Sequence, residues 1–126
     1  MKKIVYSSKA PEPIGPYSQG VIFGNLLFLS GQIAIEQATG SLIMSSVADE
    51  TKQVMENIKF LLDESKTDFS KIVKTSIFLS SMEHFQEVNR VYASYFEGNY
   101  PARETVAVSG LPKGVNVEIS VIVALN

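Results

Sequence analysis

Val117 to Leu125, VEISVIVAL, alternates in a way only an extended strand can use. Val117, Ile119, Val121, Val123 and Leu125 fall on one side, and their unbroken apolarity marks that side as the core. Glu118, Ser120, Ile122 and Ala124 fall on the other. Upstream, across Leu111-Pro112-Lys113-Gly114, residues Thr105 to Ser109 read as a second strand. If Val106 and Val108 turn inward there, Arg103, Thr105, Ala107 and Ser109 face the opposite way. Alternation therefore predicts that Arg103, Thr105, Glu118 and Ser120 share one sheet surface.

Further upstream, Ile72 to Leu79 (IVKTSIFL) is rich in β-branched residues and reads as a strand, with Val73, Thr75, Ile77 and Leu79 on one side. Val21-Ile22-Phe23 and Leu26-Leu27-Phe28-Leu29 flank Gly24-Asn25, which suits a two-residue type II′ hairpin. Between Ser46 and Ser65, the residues Val54, Met55, Ile58, Leu61 and Leu62 form one helical stripe, with Ser46 placed to cap its start through Asp49. Phe85, Val88, Tyr92, Tyr95 and Phe96 form a second stripe, stopped by Gly98 and Pro101. The resulting order is strands, helix, strand, helix, two strands, with no repeat or linker. It predicts one domain over residues 1–126, of α+β class, with two helices on one face of a sheet. The other face is left to solvent or to a partner subunit.

With 45% hydrophobic residues in 126, one core can form. A net charge of -2, from 11 Lys and Arg against 13 Asp and Glu, disfavours nucleic-acid binding. The absence of cysteine excludes disulfides, a thiolate nucleophile and a zinc-thiolate site, and the single histidine, His84, cannot build a multi-histidine metal site. Met1-Lys2-Lys3 is followed by too short an apolar run for a signal peptide, and no run approaches the ~20 residues of a membrane span. The expectation is a soluble, cytoplasmic protein without membrane contact. Arg103 and Arg90 are the only arginines. A guanidinium grips a carboxylate through two parallel hydrogen bonds, which lysine cannot do.

Four stretches carry a resemblance: IGPYSQG at 14–20, LSGQI at 29–33, FQEVN at 85–89 and PARETVAVSGLPKGVNVEI at 101–119. In residue type, order and spacing they resemble the RidA/YjgF/UK114 family of enamine and imine deaminases, along essentially the whole chain. The resemblance implies a chorismate-mutase-like α+β subunit with a mixed sheet, assembled as a homotrimer with helices outside and three equivalent clefts between subunits. It implies hydrolysis of 2-imino acids, such as 2-iminobutanoate or 2-iminopropanoate, to 2-keto acids and ammonia, with no cofactor and no metal.

Position by position, Arg103 resembles the arginine that binds the substrate carboxylate, and Glu118 the acid that orients or activates water. Tyr17, Ser30, Gly31, Asn89 and Thr105 resemble the remaining wall, with Ser30 and Gly31 read as ending a strand. Two departures stand out: Glu104 where relatives usually carry a small residue, and Thr105 where many carry cysteine. Alternation points Glu104 away from Arg103; turned inward it would pair with the guanidinium and weaken carboxylate binding. The rival reading is a regulatory module that binds small carboxylic acids in the same cleft without turnover. Ribonuclease activity, attached to relatives, is opposed by the acidic balance and the lack of a histidine pair or basic stripe.

Overall fold

The computed structural model describes residues 1–126. Six strands form one sheet: β1 (Lys3–Val5), β2 (Gly20–Phe23), β3 (Leu26–Gln32), β6 (Ile72–Leu79), β7 (Ala102–Ala107) and β8 (Val117–Ala124). Their spatial order is β1-β2-β3-β8-β6-β7. Every pairing is antiparallel except β6 with β7, which is parallel and is bridged by the crossover helix α2 (Phe85–Ala93). A small hairpin, β4 (Ile35–Glu36) with β5 (Ser41–Leu42), precedes α1 (Val47–Glu64). The fold is α+β, with both helices on one face of a mixed sheet.

Local chemistry accounts for these elements. Gly24 sits at φ 63, and Asn25 is not among the positive-φ residues, so the β2–β3 turn is the II′ form that matches strand twist. Ser46 caps α1 by accepting a hydrogen bond from the Asp49 amide at 3.0 Å. Met55, Ile58, Leu61 and Leu62 of α1 pack into a core with Leu27, Ile77, Ile119 and Val121. As alternation requires, Val117, Ile119, Val121 and Val123 of β8 are all buried. No helix is long and apolar enough to cross a membrane.

The structure departs from the sequence reading in five places. A register shift between Ile72 and Lys74 turns Ile72 into the core and leaves Val73 47% exposed. Strand β7 begins at Ala102, and α2 ends at Ala93, with Tyr95 and Phe96 carried on tight turns beyond it. Strand β1, over Lys3–Val5, pairs with β2 where the sequence reading placed no strand. Ser30 and Gly31 do not end β3; they lie inside it, where pairing with β8 is interrupted between Leu29 and Gln32.

The fifth departure matters most. Thr75 pairs with Arg103 and Ile77 with Thr105, and both Thr75 and Ile77 point into the core. Directly paired residues share a face, so Arg103 and Thr105 lie on the helix side. Phe78 pairs with Glu118 and Ser76 with Ser120, which puts those two on the bare side. The four residues do not share one surface. Nor does Val106 join the core: it is 43% exposed on the bare side, and Val108 lies past the strand end. Val106 repeats no buried position because the edge strand follows its β6 partners rather than its own hydrophobicity.

Candidate functional site

On the bare side, Tyr17, Ser30, Gly31 and Glu118 line one cleft of about 330 Å³, together with Glu12 and Pro112. Hydrogen bonds fix the loop that brings Tyr17 there. Gln19, 2% exposed, accepts the Ser7 amide at 2.7 Å and donates to the carbonyls of Ser7 and Pro11 at 3.1 and 2.9 Å. Ser30 Oγ donates to the Ser18 carbonyl at 2.6 Å, and the Ser30 amide donates to Gln19 O at 3.0 Å. The Tyr17 hydroxyl accepts from the Ile14 amide at 3.3 Å, closing the turn and leaving the ring 47% exposed. Ser30 thus holds the wall in place, while Tyr17 presents a ring.

Gly31 is glycine because Glu118 lies across it. A Cβ at position 31 would stand 2.8 Å from Glu118 Cδ and 3.0 Å from Cγ, well inside van der Waals contact. The interrupted pairing at Ser30-Gly31 therefore presents bare backbone to the carboxyl group. Glu118 is half-buried, and burial holds its carboxyl above the usual carboxylate range. A carboxyl so placed exchanges protons nearer neutrality than a solvated one, which suits acid-base work on water.

The other residues gather elsewhere. Arg103 and Asn89 line a second hollow of about 310 Å³ with Tyr92 and Tyr100. The Arg103 guanidinium lies over the Tyr92 ring at 5.1 Å and the Phe85 ring at 5.8 Å. Tyr92 is held in turn by its hydroxyl, which donates to Thr75 Oγ1 at 2.8 Å. Burial pushes the Tyr92 phenol up, opposed by the Thr75 hydrogen bond and the nearby guanidinium. No carboxylate pairs with Arg103, so its planar fork is available. Thr105 follows two residues along the same face, its hydroxyl enclosed without a protein partner, as is Asn89 Oδ1. Glu104 points to the bare side, where it pairs with Lys74 Nζ at 3.0 Å and accepts a bond from Ser76. Those contacts, Ser76 first and then Lys74, hold its carboxyl below the usual range.

Sequence reasoning missed Gln19, Glu12 and Pro112 as builders of the first cleft, although Gln19 and Pro112 stand inside the quoted motifs. It also read Tyr92 and Phe85 only as core stripe, when they carry the arginine. The available signal for Gln19 was its place inside the quoted IGPYSQG stretch.

Within one chain the two clusters cannot meet. Val106 and Glu118 flank Phe78 on neighbouring strands, and Arg103 lies three residues before Val106. At ~4.8 Å between strands and ~3.3 Å per residue, the two Cα atoms are about 14 Å apart. They also sit on opposite faces.

The sequence profile of the endoribonuclease L-PSP family matches residues 7–125. The chain belongs to that family, known also as RidA/YjgF. Within it, a 2-iminobutanoate/2-iminopropanoate deaminase of Rattus norvegicus is 40% identical over 97% of this chain and 89% of its own. The crystal structure of a Rid family protein from Yersinia pestis superposes with a TM-score of 0.95, at 45% identity, covering 98% of this chain and 99% of that one. E. coli TdcF with bound serine has a TM-score of 0.92 at 35% identity, covering 97% and 98%. Members of the RidA/YjgF family thus carry several names, endoribonuclease and deaminase among them.

Proposed function

We propose that the protein hydrolyses 2-imino acids, or their enamine tautomers, to 2-keto acids and ammonia at a site shared by two copies in a homotrimer. The observation that carries this reading is the division of the site. An unpaired arginine on an aromatic platform and a half-buried carboxyl above a glycine lie on opposite faces of one sheet. A 2-imino acid carries its carboxylate on the carbon next to the C=N bond, so the groups that hold these two parts must converge. A second copy that sets its cleft against the edge strand β7 brings its Glu118 to this Arg103; one copy alone does not. The bare face carries Phe28, 41% exposed, and Val106, 43% exposed, which suits contact with another copy.

Arg103 binds the carboxylate through its fork, with Asn89 and Thr105 shaping that end. Tyr17 covers the substrate side chain, and the Ser30-Gly31 backbone faces the nitrogen. Glu118 takes a proton from water as the oxygen adds to the carbon of the protonated imine, returns that proton to the amino nitrogen of the carbinolamine, and takes the hydroxyl proton as the carbon–nitrogen bond breaks, ammonia leaves and the keto group forms. Imines already hydrolyse in water, so positioning supplies most of what is needed. The relative named as an iminobutanoate/iminopropanoate deaminase supports this substrate class.

The test generates imines from several amino acids with an amino-acid oxidase and traps what remains. The protein is expected to lower the trapped fraction for at least one of them. No reduction for any would remove the enzymatic reading. The serine bound to TdcF favours a second reading, a small-carboxylate sensor using the same arginine. Glu118→Gln separates the two: it abolishes turnover in the enzyme and leaves ligand binding intact in the sensor.

A further inference from the structure

Glu50 is a carboxyl group in the first turn of α1 that is 0% exposed and takes no part in the chemistry above. Its oxygens serve a single segment. Oε2 accepts the amides of Asn116 and Val117 at 2.7 and 3.1 Å, and Oε1 accepts Asn116 Nδ2 at 3.0 Å. Asn116 is held from the other side too, since its carbonyl accepts the Ser80 amide and its Oδ1 accepts Ser80 Oγ, both at 2.9 Å. The start of β8 is therefore tied to α1 and to the end of β6 at once. Glu118 is the next residue beyond this knot, and Pro112, which walls the cleft, sits on the short turn leading into it.

A plain tie between helix and sheet would need only one backbone bond. Here a fully enclosed acid spends both oxygens on the two residues that immediately precede Glu118. Moreover, Glu118 lies across Gly31 where a Cβ would not fit, so a small slide of β8 changes how its carboxyl sits over that backbone. Resting on the reading of Glu118 as the group that handles water, we propose that Glu50 is a positioning residue: it anchors Asn116 and Val117 and so sets the height and direction of Glu118 over Gly31.

The test measures the proton affinity of the Glu118 carboxyl by carbon-13 NMR in the full-length protein, with Glu118→Gln to assign the signal. It compares the parent with Glu50→Ala and Asn116→Ala. The second variant removes one bond to Glu50 and one to Ser80 while sparing both backbone amides, so it decides the matter if Glu50→Ala does not fold. Loosening the knot is expected to let solvent reach Glu118 and to lower its pKa toward the usual carboxylate range, more in Glu50→Ala than in Asn116→Ala. In imine hydrolysis, kcat should fall on the order of 10- to 100-fold with KM little changed, because Arg103 is untouched. Glu50→Gln, which keeps one acceptor oxygen, should recover part of both. A folded variant with lower thermal stability but an unchanged Glu118 titration overturns the proposal and leaves Glu50 a structural tie. Because the titration needs no substrate, failure of the parent to hydrolyse any imine counts against the deaminase reading alone.

Discussion

Replacing Gly31 with alanine should disable the protein without unfolding it. The new Cβ would lie 2.8 Å from Glu118 Cδ and 3.0 Å from Cγ. Carbon atoms settle at ~3.5 to 4.0 Å, so the carboxyl must retreat by about 1 Å. A displacement of that size at a reacting group costs on the order of 100-fold in rate. The backbone raises no objection, since Gly31 is not in the left-handed region, and alanine in a strand gains roughly 0.5 to 1 kcal/mol over glycine in chain entropy. Forcing Glu118 off its rotamer returns about 0.5 to 1.5 kcal/mol, so the melting temperature should move by only a few degrees. The assay is steady-state imine hydrolysis beside calorimetry, on Gly31→Ala, Glu118→Gln and the double variant. The double variant should be no slower than Glu118→Gln, because both changes act on one carboxyl. Full activity in a folded Gly31→Ala would refute the placement of Glu118 at the reacting carbon.

Arg103→Ala should lower kcat/KM at least tenfold, the loss of a charge-assisted bond of about 1.5 to 3 kcal/mol, and Arg103→Lys should recover only part; equal rates would clear Arg103 of its role. Burial holds the Glu118 pKa above its unfolded value, so the folded state keeps that proton longer. Stability from this group is full below the ordinary glutamate pKa of ~4.3 and is lost as pH rises through the raised value, where a half-buried charge must form. Glu118→Gln should therefore melt higher than the parent at pH 7, with the gap closing in acid; a lower melting temperature at pH 7 would mean the carboxylate is stabilised by partners instead. Ser46→Ala removes the 3.0 Å cap of α1 and should cost about 0.5 to 2 kcal/mol by denaturant titration, leaving kcat unchanged at 25 °C.

Where a residue answered to its own element, the sequence was a sound guide. Ser46 caps α1 through Asp49, Gly24-Asn25 turns the hairpin, and β8 buries every second residue as its alternation demands. The reading went wrong where a neighbour decides. Val106 looks like a core residue, yet parallel pairing with Phe78 turns it out and brings Arg103 and Thr105 in beside Thr75 and Ile77. Register between strands distant in sequence is not written in either strand alone. The interruption at Ser30-Gly31 is equally invisible without Glu118 above it. Motif resemblance named Tyr17, Gly31, Glu118 and Arg103 and implied a cleft drawn from two subunits, but the reading grouped Glu118 with Arg103 against the early strands, whereas one chain holds Glu118 with Tyr17 and Gly31 and keeps Arg103 in a separate hollow. Nor could it find Glu50, whose partners lie at sequence separations of 66 and 67.

That separation makes subunit complementation the most direct measurement. Arg103→Ala and Glu118→Gln, each impaired at least tenfold alone, are to be unfolded together in equal amounts, refolded and assayed. If each site takes its arginine from one copy and its acid from another, random assembly leaves about one quarter of the sites with both intact, and about one quarter of parental activity should return. Activity no higher than that of either variant alone, in a mixture shown to contain mixed oligomers, would contradict a site shared between copies.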